Sequence, residues 1–242
     1  MLILPDYRNE AVLAEIEAAW RLGRPQWSWP RRHPYQAEYS WAWDRLAEGM
    51  GRIGPDVRVV DAGGGWGAFQ NVLAATGAAV WNVDIEPAAL AHALARVTHR
   101  KADLEDTGLL AGAYDGVVAV SSIEHNAWEK VLRVVRHLVG LLRPGGVFVA
   151  TVPAARERVW YPAGGWPKPY SSYPQAYLFD GEAVAEVGRA VRELAAMECP
   201  VVTQPGAYRA EWDATMADVQ ANSPFAALRP YLSMGFVLRR LP

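Results

Sequence analysis

Residues 59–69 read VVDAGGGWGAF. Two Val residues run into an acid, three glycines follow, and Trp66 and a fourth glycine come before Phe69. A short apolar run that stops at glycine reads as a buried strand. Residues 66–76 continue as a helix, with Phe69, Val72 and Leu73 on one face. Strand, glycine turn and helix in that order open a βαβ unit, and open α/β sheets bind ligands at such a turn.

The alternation continues downstream. AVWNVD (79–84) reads as a second strand, and Pro87 opens a helix that runs to Val97, since proline suits a first helical turn. THRKAD (98–103) is a weaker third strand and DGVVAVSS (115–122) an apolar fourth. Residues 127–142 form the clearest helix, with Trp128, Val131, Leu132, Val135, Leu138, Val139 and Leu142 at helical spacing. RPGG (143–146) stops it, and VFVATVP (147–153) is a fifth strand. A further helix spans 181–196, and PVVTQ (200–204) and FVLRRL (236–241) supply two last strands. The pattern predicts a doubly wound, mostly parallel α/β sheet covered by helices on both faces.

Before this core, residues 10–22 have helical periodicity. The three prolines within 23–39 exclude a long helix there, and 40–50 suit a second short one. The expected organisation is an N-terminal helical, aromatic appendage over 1–56 and a core domain over 57–242. The core carries an insertion at about 154–179 that is rich in Pro, Gly and aromatics.

Composition narrows the function. Of 242 residues, 51% are hydrophobic and 21% charged, enough for a large core and unlike a disordered chain. The net charge of −2 leaves no broad basic surface for nucleic acid. The only cysteine, Cys199, cannot form an internal disulfide, and no Cys/His grouping suggests a metal. No signal-like segment and no apolar run of membrane length is present. The expectation is a cytoplasmic monomer or homodimer with no membrane or nucleic-acid partner and no metal.

Two ligands compete for the glycine loop. Gly63-x-Gly65-x-x-Ala68 fits the dinucleotide pattern, while Asp61-x-Gly63-x-Gly65-x-Gly67 adds an acid at the start of the loop. A carboxylate there repels a pyrophosphate and attracts a cation. The second pattern resembles motif I of the class I S-adenosylmethionine (SAM) dependent methyltransferases. In that family the loop receives a methionine ammonium and lies close to a sulfonium. Three further segments resemble the family in the expected order: KADLED (101–106), YDGVVAVSSIEH (114–125) and LLRPGGVFVAT (141–151). The likeness covers roughly 57–153 and implies the family's seven-stranded Rossmann-like sheet. Trp66 departs from it, standing where the family usually has a small or polar residue.

Asp84 ends the second strand, 23 residues after Asp61, where an acid can accept hydrogen bonds from both ribose hydroxyls. That position suits a nicotinamide dinucleotide and SAM equally. The resemblance implies that SAM, leaving as S-adenosylhomocysteine, is held by Asp61, Gly63, Gly65, Gly67, Asp84, Ile85, Asp103, Leu104 and Ser121. Asp103 and Leu104 would meet the adenine.

Methyl transfer needs an acceptor aligned with the breaking C–S bond, and needs a base only where the acceptor must lose a proton. His125, after the fourth strand and beside Glu124, is the candidate base. Its alternative role is to start the following helix with Asn126. His33 is a second candidate, while His92, His99 and His137 read as surface or helix positions. Trp27, His33, Tyr39 and Trp160 come from the two aromatic clusters and are candidates for a small-molecule acceptor pocket, against a satellite core or subunit contact. The expected function is methyl transfer from SAM to oxygen or nitrogen of a small molecule. The rivals are an NAD-dependent oxidoreductase and a non-catalytic binding or scaffold protein of the same fold.

Overall fold

The structure, a computed structural model, describes residues 2–3, 9–23, 34–65, 69–86, 96–163, 175–198, 213, 217 and 232–242. Its elements are β1 (Leu2–Ile3), α1 (Glu10–Gly23), α2 (Pro34–Met50), β2 (Arg58–Ala62), α3 (Phe69–Ala75), β3 (Ala79–Asp84), β4 (Val97–Lys101) and β5 (Tyr114–Val120). A 3-10 turn (Ile123–His125) follows, then α4 (Trp128–Leu141), β6 (Leu142–Ala154), β7 (Val159–Tyr161), β8 (Ala176–Leu178), α5 (Gly181–Val191), β9 (Ala195–Met197) and β10 (Leu232–Arg240).

One sheet runs β4-β3-β2-β5-β6-β10, with β1 and β9 both pairing antiparallel along the outer edge of β10. The five strands from β4 to β6 are parallel, and β10 is antiparallel to β6. Apart from the two-residue β1, this is the expected seven-stranded, mostly parallel sheet. The final antiparallel pair uses β9 at Ala195–Met197; the anticipated strand at 200–204 lies outside the described residues.

Apolar strands need cover on both faces. Val60, Ala62, Val117, Phe148 and Phe236 pack under α4 and α5, while Val59, Val80, Val118, Val147 and Val149 pack under α1, α2 and α3. The periodic face of α4 is buried from Val131 to Leu141, as its spacing requires. Asp180 caps α5, its carboxylate accepting from the Ala183 amide at 2.8 Å.

Two local readings are corrected. The second N-terminal helix is not confined to 40–50 but spans Pro34–Met50. Proline has no amide to donate, and at a helix start none is required, so Pro34 opens the helix where a proline farther in would break it. The RPGG segment does not separate helix from strand by a free turn. β6 begins at Leu142, opposite Tyr114, and the extra residues loop out before Val147 meets Gly116, with Gly145 at φ +78. Arg239 closes this corner by donating to the carbonyls of Gly49 and Gly145 while its guanidinium pairs with Glu198.

α2 lies directly on β5, β6 and β10, with Trp41, Ala42 and Leu46 buried against them. Leu46 is fully enclosed. Leu46→Ala is expected to cost about 2–5 kcal/mol, from lost burial and the cavity left behind. The check is denaturant unfolding; a loss below about 1 kcal/mol would show that α2 is not part of the cooperative core.

Candidate active site

The strand order reverses beside β2, which has β3 on one side and β5 on the other, so a crevice opens at the carboxyl ends of β2 and β5. The glycine loop sits there. Gly63 takes φ +74 and its amide donates to the Val83 carbonyl at 2.7 Å. The Ser122 hydroxyl donates to the Ala62 carbonyl at 2.7 Å, which draws the chain after β5 so close that a Cβ on Gly63 would fall 2.4 Å from the Ser122 Cβ. Gly65 donates its amide to Asp84 Oδ2 at 3.1 Å, and Asp84 Oδ1 accepts the Glu86 amide at 2.9 Å. Each Asp84 oxygen therefore keeps acceptor capacity while the carboxylate fixes backbone on either side. Gly67 and Trp66 lie outside the described residues.

Beneath the loop, Asp61 is buried and its Oδ2 has no hydrogen-bond partner. Burial, and secondarily the charge of Asp84, push its carboxyl up to about 7. A Cβ on Gly64 would stand 2.4 Å from Asp61 Oδ2, so only glycine passes over this acid. An enclosed acceptor without a donor is costly unless a donor or cation arrives. The residues thus fit a ligand that brings positive charge to the loop and oppose a phosphate.

At the other end, Ile85 is 63% exposed beside Asp84 and leaves an apolar surface open. Leu104 is buried, its Cδ1 3.7 Å from the position of a Gly63 Cβ, so it backs the loop. Asp103 is more heavily engaged than its sequence position implies. Lys130 donates to Oδ2 at 2.5 Å and the Glu105 amide to Oδ1 at 2.9 Å. The Lys130 bond, with the backbone bond next, holds its carboxyl below the usual range.

The opposite wall comes from α2 and the chain after β5. Ser121 sits at φ +45, the one non-glycine residue at positive φ among those described, and its hydroxyl donates to Glu38 Oε1 and Oε2 at 3.0 and 3.1 Å. Such a backbone costs energy and persists where surroundings enforce it; here the Ser121 amide bonds the Thr151 carbonyl. Tyr39 stacks on Phe69 with ring centroids 5.1 Å apart and planes at 5°. Burial, then the charges of Asp61 and Glu38, push its phenol far above the usual range.

His125 occupies the 3-10 turn, where its Nδ1 donates to the Gln175 carbonyl at 2.8 Å. Gln175 precedes β8, so the β7–β8 hairpin sets the ring. That hairpin is fastened in turn: Trp160 lies 4.5 Å from Tyr177, and Tyr177 meets Trp128 edge-on. Arg158 lies 4.2 Å over the Trp128 ring and pairs with Glu186, which also accepts from the Trp128 indole. Trp160 is 37% exposed, at the rim. Trp27, His33 and His92 lie outside the described residues.

Asn82, Glu38 and His99 were not anticipated as part of this site. Asn82 is fully buried; its Nδ2 donates to the Gly65 carbonyl and to His99 Nδ1, both at 3.2 Å. An Asn inside the apolar run AVWNVD was the available signal. His99 is half-buried rather than a free surface residue, because β4 sets it beside Asn82. His137 is a helix residue, as expected, and pins Thr107, whose amide reaches its Nε2 at 3.2 Å. Among the described residues no group of three or more His, Cys, Asp or Glu is placed to hold a metal, and no helix is long and apolar enough to cross a membrane.

Residues 60–150 match a family model described as a methyltransferase domain. No curated protein matches the chain. Among solved structures, a SAM-dependent methyltransferase from Mesorhizobium loti is similar at TM-score 0.55 and 21% identity, covering 82% of this chain and 97% of that one. A phosphoethanolamine N-methyltransferase from Haemonchus contortus, with phosphomonomethylethanolamine and S-adenosylhomocysteine, is similar at 0.59 and 16%, covering 93% and 56%. The 1,6-didemethyltoxoflavin N1-methyltransferase of Burkholderia thailandensis, with its substrate and S-adenosylhomocysteine, is similar at 0.54 and 17%, covering 96% and 88%. At these identities the structures speak for the fold. Over the glycine loop and the strands around it the chain is thus similar to a methyltransferase domain, and its sheet has the Rossmann-like fold of the SAM-dependent methyltransferases.

Proposed function

We propose that this protein transfers a methyl group from S-adenosylmethionine to an oxygen or nitrogen of a small-molecule acceptor, with His125 as the base where a proton must leave. The observation that carries the cofactor half is the buried, unpartnered Asp61 oxygen under a loop that only glycine can form. The bound cofactor supplies an electrophilic methyl on a sulfonium. Asp61 and the loop would hold its ammonium end, and Asp84 the ribose, with the acceptor capacity left on each oxygen. Ile85 and Leu104 would flank the adenine, and Asp103 would meet its amine through the lone pairs that Lys130 and Glu105 leave free. Ser121, fixed by Glu38, would border the methionine part. Two similar structures are N-methyltransferases of small molecules, which supports a small acceptor. Tyr39 and Trp160, with Trp27 and His33 from the segment before α2, are proposed to wall its pocket.

His125 suits the base role by its tautomer. A carbonyl can only accept, so the bond to Gln175 puts the proton on Nδ1 and leaves the Nε2 lone pair open. Burial lowers its pKa, with the Gln175 bond and the Asp84 charge opposing, so the ring is neutral near pH 7. Glu124 Oε1 lies 3.9 Å from Nε2. The two do not form an ion pair, because burial pushes the Glu124 carboxyl up to about 8 and keeps it protonated.

Calorimetry with SAM and with NAD tests the reading. Tight NAD binding without SAM binding would leave an oxidoreductase as the better account. His125→Ala is expected to lower kcat by about 10²–10⁴-fold on a hydroxyl acceptor while SAM affinity is kept. An unchanged kcat removes the base and leaves an acceptor that already offers a lone pair, a neutral amine. Asp84→Ala should weaken SAM binding by roughly 10- to 100-fold, the worth of a charge-assisted hydrogen bond; an unchanged Kd would remove the ribose role.

Glu124 also makes a prediction about pH. Its pKa in an unfolded chain is near 4.5 and in the fold about 8. Between those values the folded carboxyl keeps a proton that the unfolded chain has lost. Raising the pH through this window therefore removes stability, by up to about 1.4 kcal/mol per pH unit, and the loss is complete above about 8. Glu124→Gln should flatten the fall of Tm between pH 5 and 8. An equal fall in both proteins would show that Glu124 ionises freely in the fold.

A further inference from the structure

Asp61, Asn82 and His99 form one row across three parallel strands: Asp61 is directly beside Asn82, and Asn82 directly beside His99. The Asn82 amide is oriented by its neighbours. The Gly65 carbonyl needs a donor, so Nδ2 must face it, and the same nitrogen reaches His99 Nδ1. Asn82 Oδ1 is thereby turned toward Asp61. Asp61 Oδ2 and Asn82 Oδ1 lie 2.4 and 2.8 Å from one point, the position of a Cβ on Gly64, and neither oxygen has a hydrogen-bond partner. Two enclosed acceptors border the same small space under Gly64, and neither has a donor. An ionised Asp61 would leave both unsatisfied, whereas a protonated one satisfies both with a single O–H···O bond.

We propose that in the cofactor-free protein Asp61 carries a proton that it shares with Asn82 Oδ1, and that this proton is released to solvent when the cationic cofactor binds. On release the Asp61 O–H bond breaks, a buffer base takes the proton, and the carboxylate left behind faces the incoming ammonium. The first half of this proposal stands on the row of side chains alone. The second rests on the SAM reading above.

The surroundings have the right sign. Tyr39 on α2 and Asp84 at the end of β3 act on or are acted on by the Asp61 charge, and Glu38 acts on Tyr39, each an acid or a neutral phenol. Asn82 separates it from His99 on β4, which burial keeps below its usual range and neutral near pH 7. Beside it β5 offers Val118, and α3 carries no titratable side chain. Enclosure lifts the Asp61 carboxyl to about 7, so the proton is held or lost within the physiological range.

The test uses the whole chain. In cofactor-free protein the 13Cγ resonance of Asp61 should titrate with a midpoint near 7, and the Asn82 side-chain amide should shift with the same midpoint. Asp61→Asn puts an amide donor where the proton was, so it should fold and abolish the Asn82 transition near 7, leaving that of His99 below 6.5. Calorimetry of SAM binding at pH 6.5, in two buffers of different ionisation heat, should register release of roughly 0.8 proton, and affinity should rise up to about tenfold per pH unit below 7. Asp61→Asn should release none. A midpoint in the ordinary carboxylate range, or an Asn82 amide that is flat between pH 6 and 8, overturns the shared proton. SAM binding without proton release overturns the coupling. A midpoint near 7 in a protein that binds no SAM keeps the proton pair and overturns the methyltransferase reading instead.

Discussion

Asp61 is a carboxyl group enclosed at the end of the central strand, where the sheet changes direction and its own chain must turn back over it. The turn is possible because Gly64 has no side chain to meet the acid, and Gly63 none to meet Ser122. The rest of the site depends on this enclosure. The loop is held by its Gly63 and Gly65 amides, which donate to the Val83 carbonyl and the Asp84 carboxylate, and by Asn82 donating to the Gly65 carbonyl. β2, β3 and β4 each give one polar residue to a row that would be apolar in an ordinary parallel sheet. A parallel register makes that possible, since it sets Asp61, Asn82 and His99 side by side from three separate segments.

Two distant segments complete the crevice. α2 reaches it from the N-terminal side, where Glu38 holds the strained Ser121 and Tyr39 stacks on the first residue of α3. The β7–β8 hairpin reaches it from the other side and fixes His125 through Gln175. The hairpin is anchored on α4 and α5 by Arg158, Trp128 and Glu186. The orientation of His125 is thus set by a hairpin that lies 50 residues away in sequence, packed on helices of the sheet's second face.

Much of this was legible in the sequence. Apolar runs ended by Gly or Asp gave the parallel strands, and the spacing of α4 fixed its buried face. The acid before the glycines pointed to a cation. These signals are local and period-based, which is why they survive without tertiary information. What was missed depends on partners far away. Proline content argued against a helix before residue 40, yet Pro34 stands at a helix start, where its missing amide has no cost. Glu38, which that helix sets against Ser121, was missed with it, whereas Tyr39 was already a candidate from its aromatic cluster. Asn82 and His99 look like stray polar residues until the register places them beside Asp61. The short β9 carries no strand signal of its own and forms because β10 offers it an edge.

Charge placement distinguishes the two ends of the crevice. On the loop side lie Asp61 and Asp84, and burial raises the first to about 7, so that a cation in contact would draw it to the ionised form. On the side of the 3-10 turn, His125 and Glu124 are both held neutral by burial near pH 7. Under the methyl-transfer reading this asymmetry favours the reaction. The positive charge on sulfur is dispersed as the methyl moves, so a carboxylate beside the sulfonium would stabilise the starting state more than the transition state. A neutral imidazole and a protonated carboxyl leave that end without such a charge, while the acids stay at the end that anchors the ammonium. Under the same reading, the burial that makes an ionised Asp61 costly would strengthen its contact with the ammonium, because the charge it met would not be shared with water.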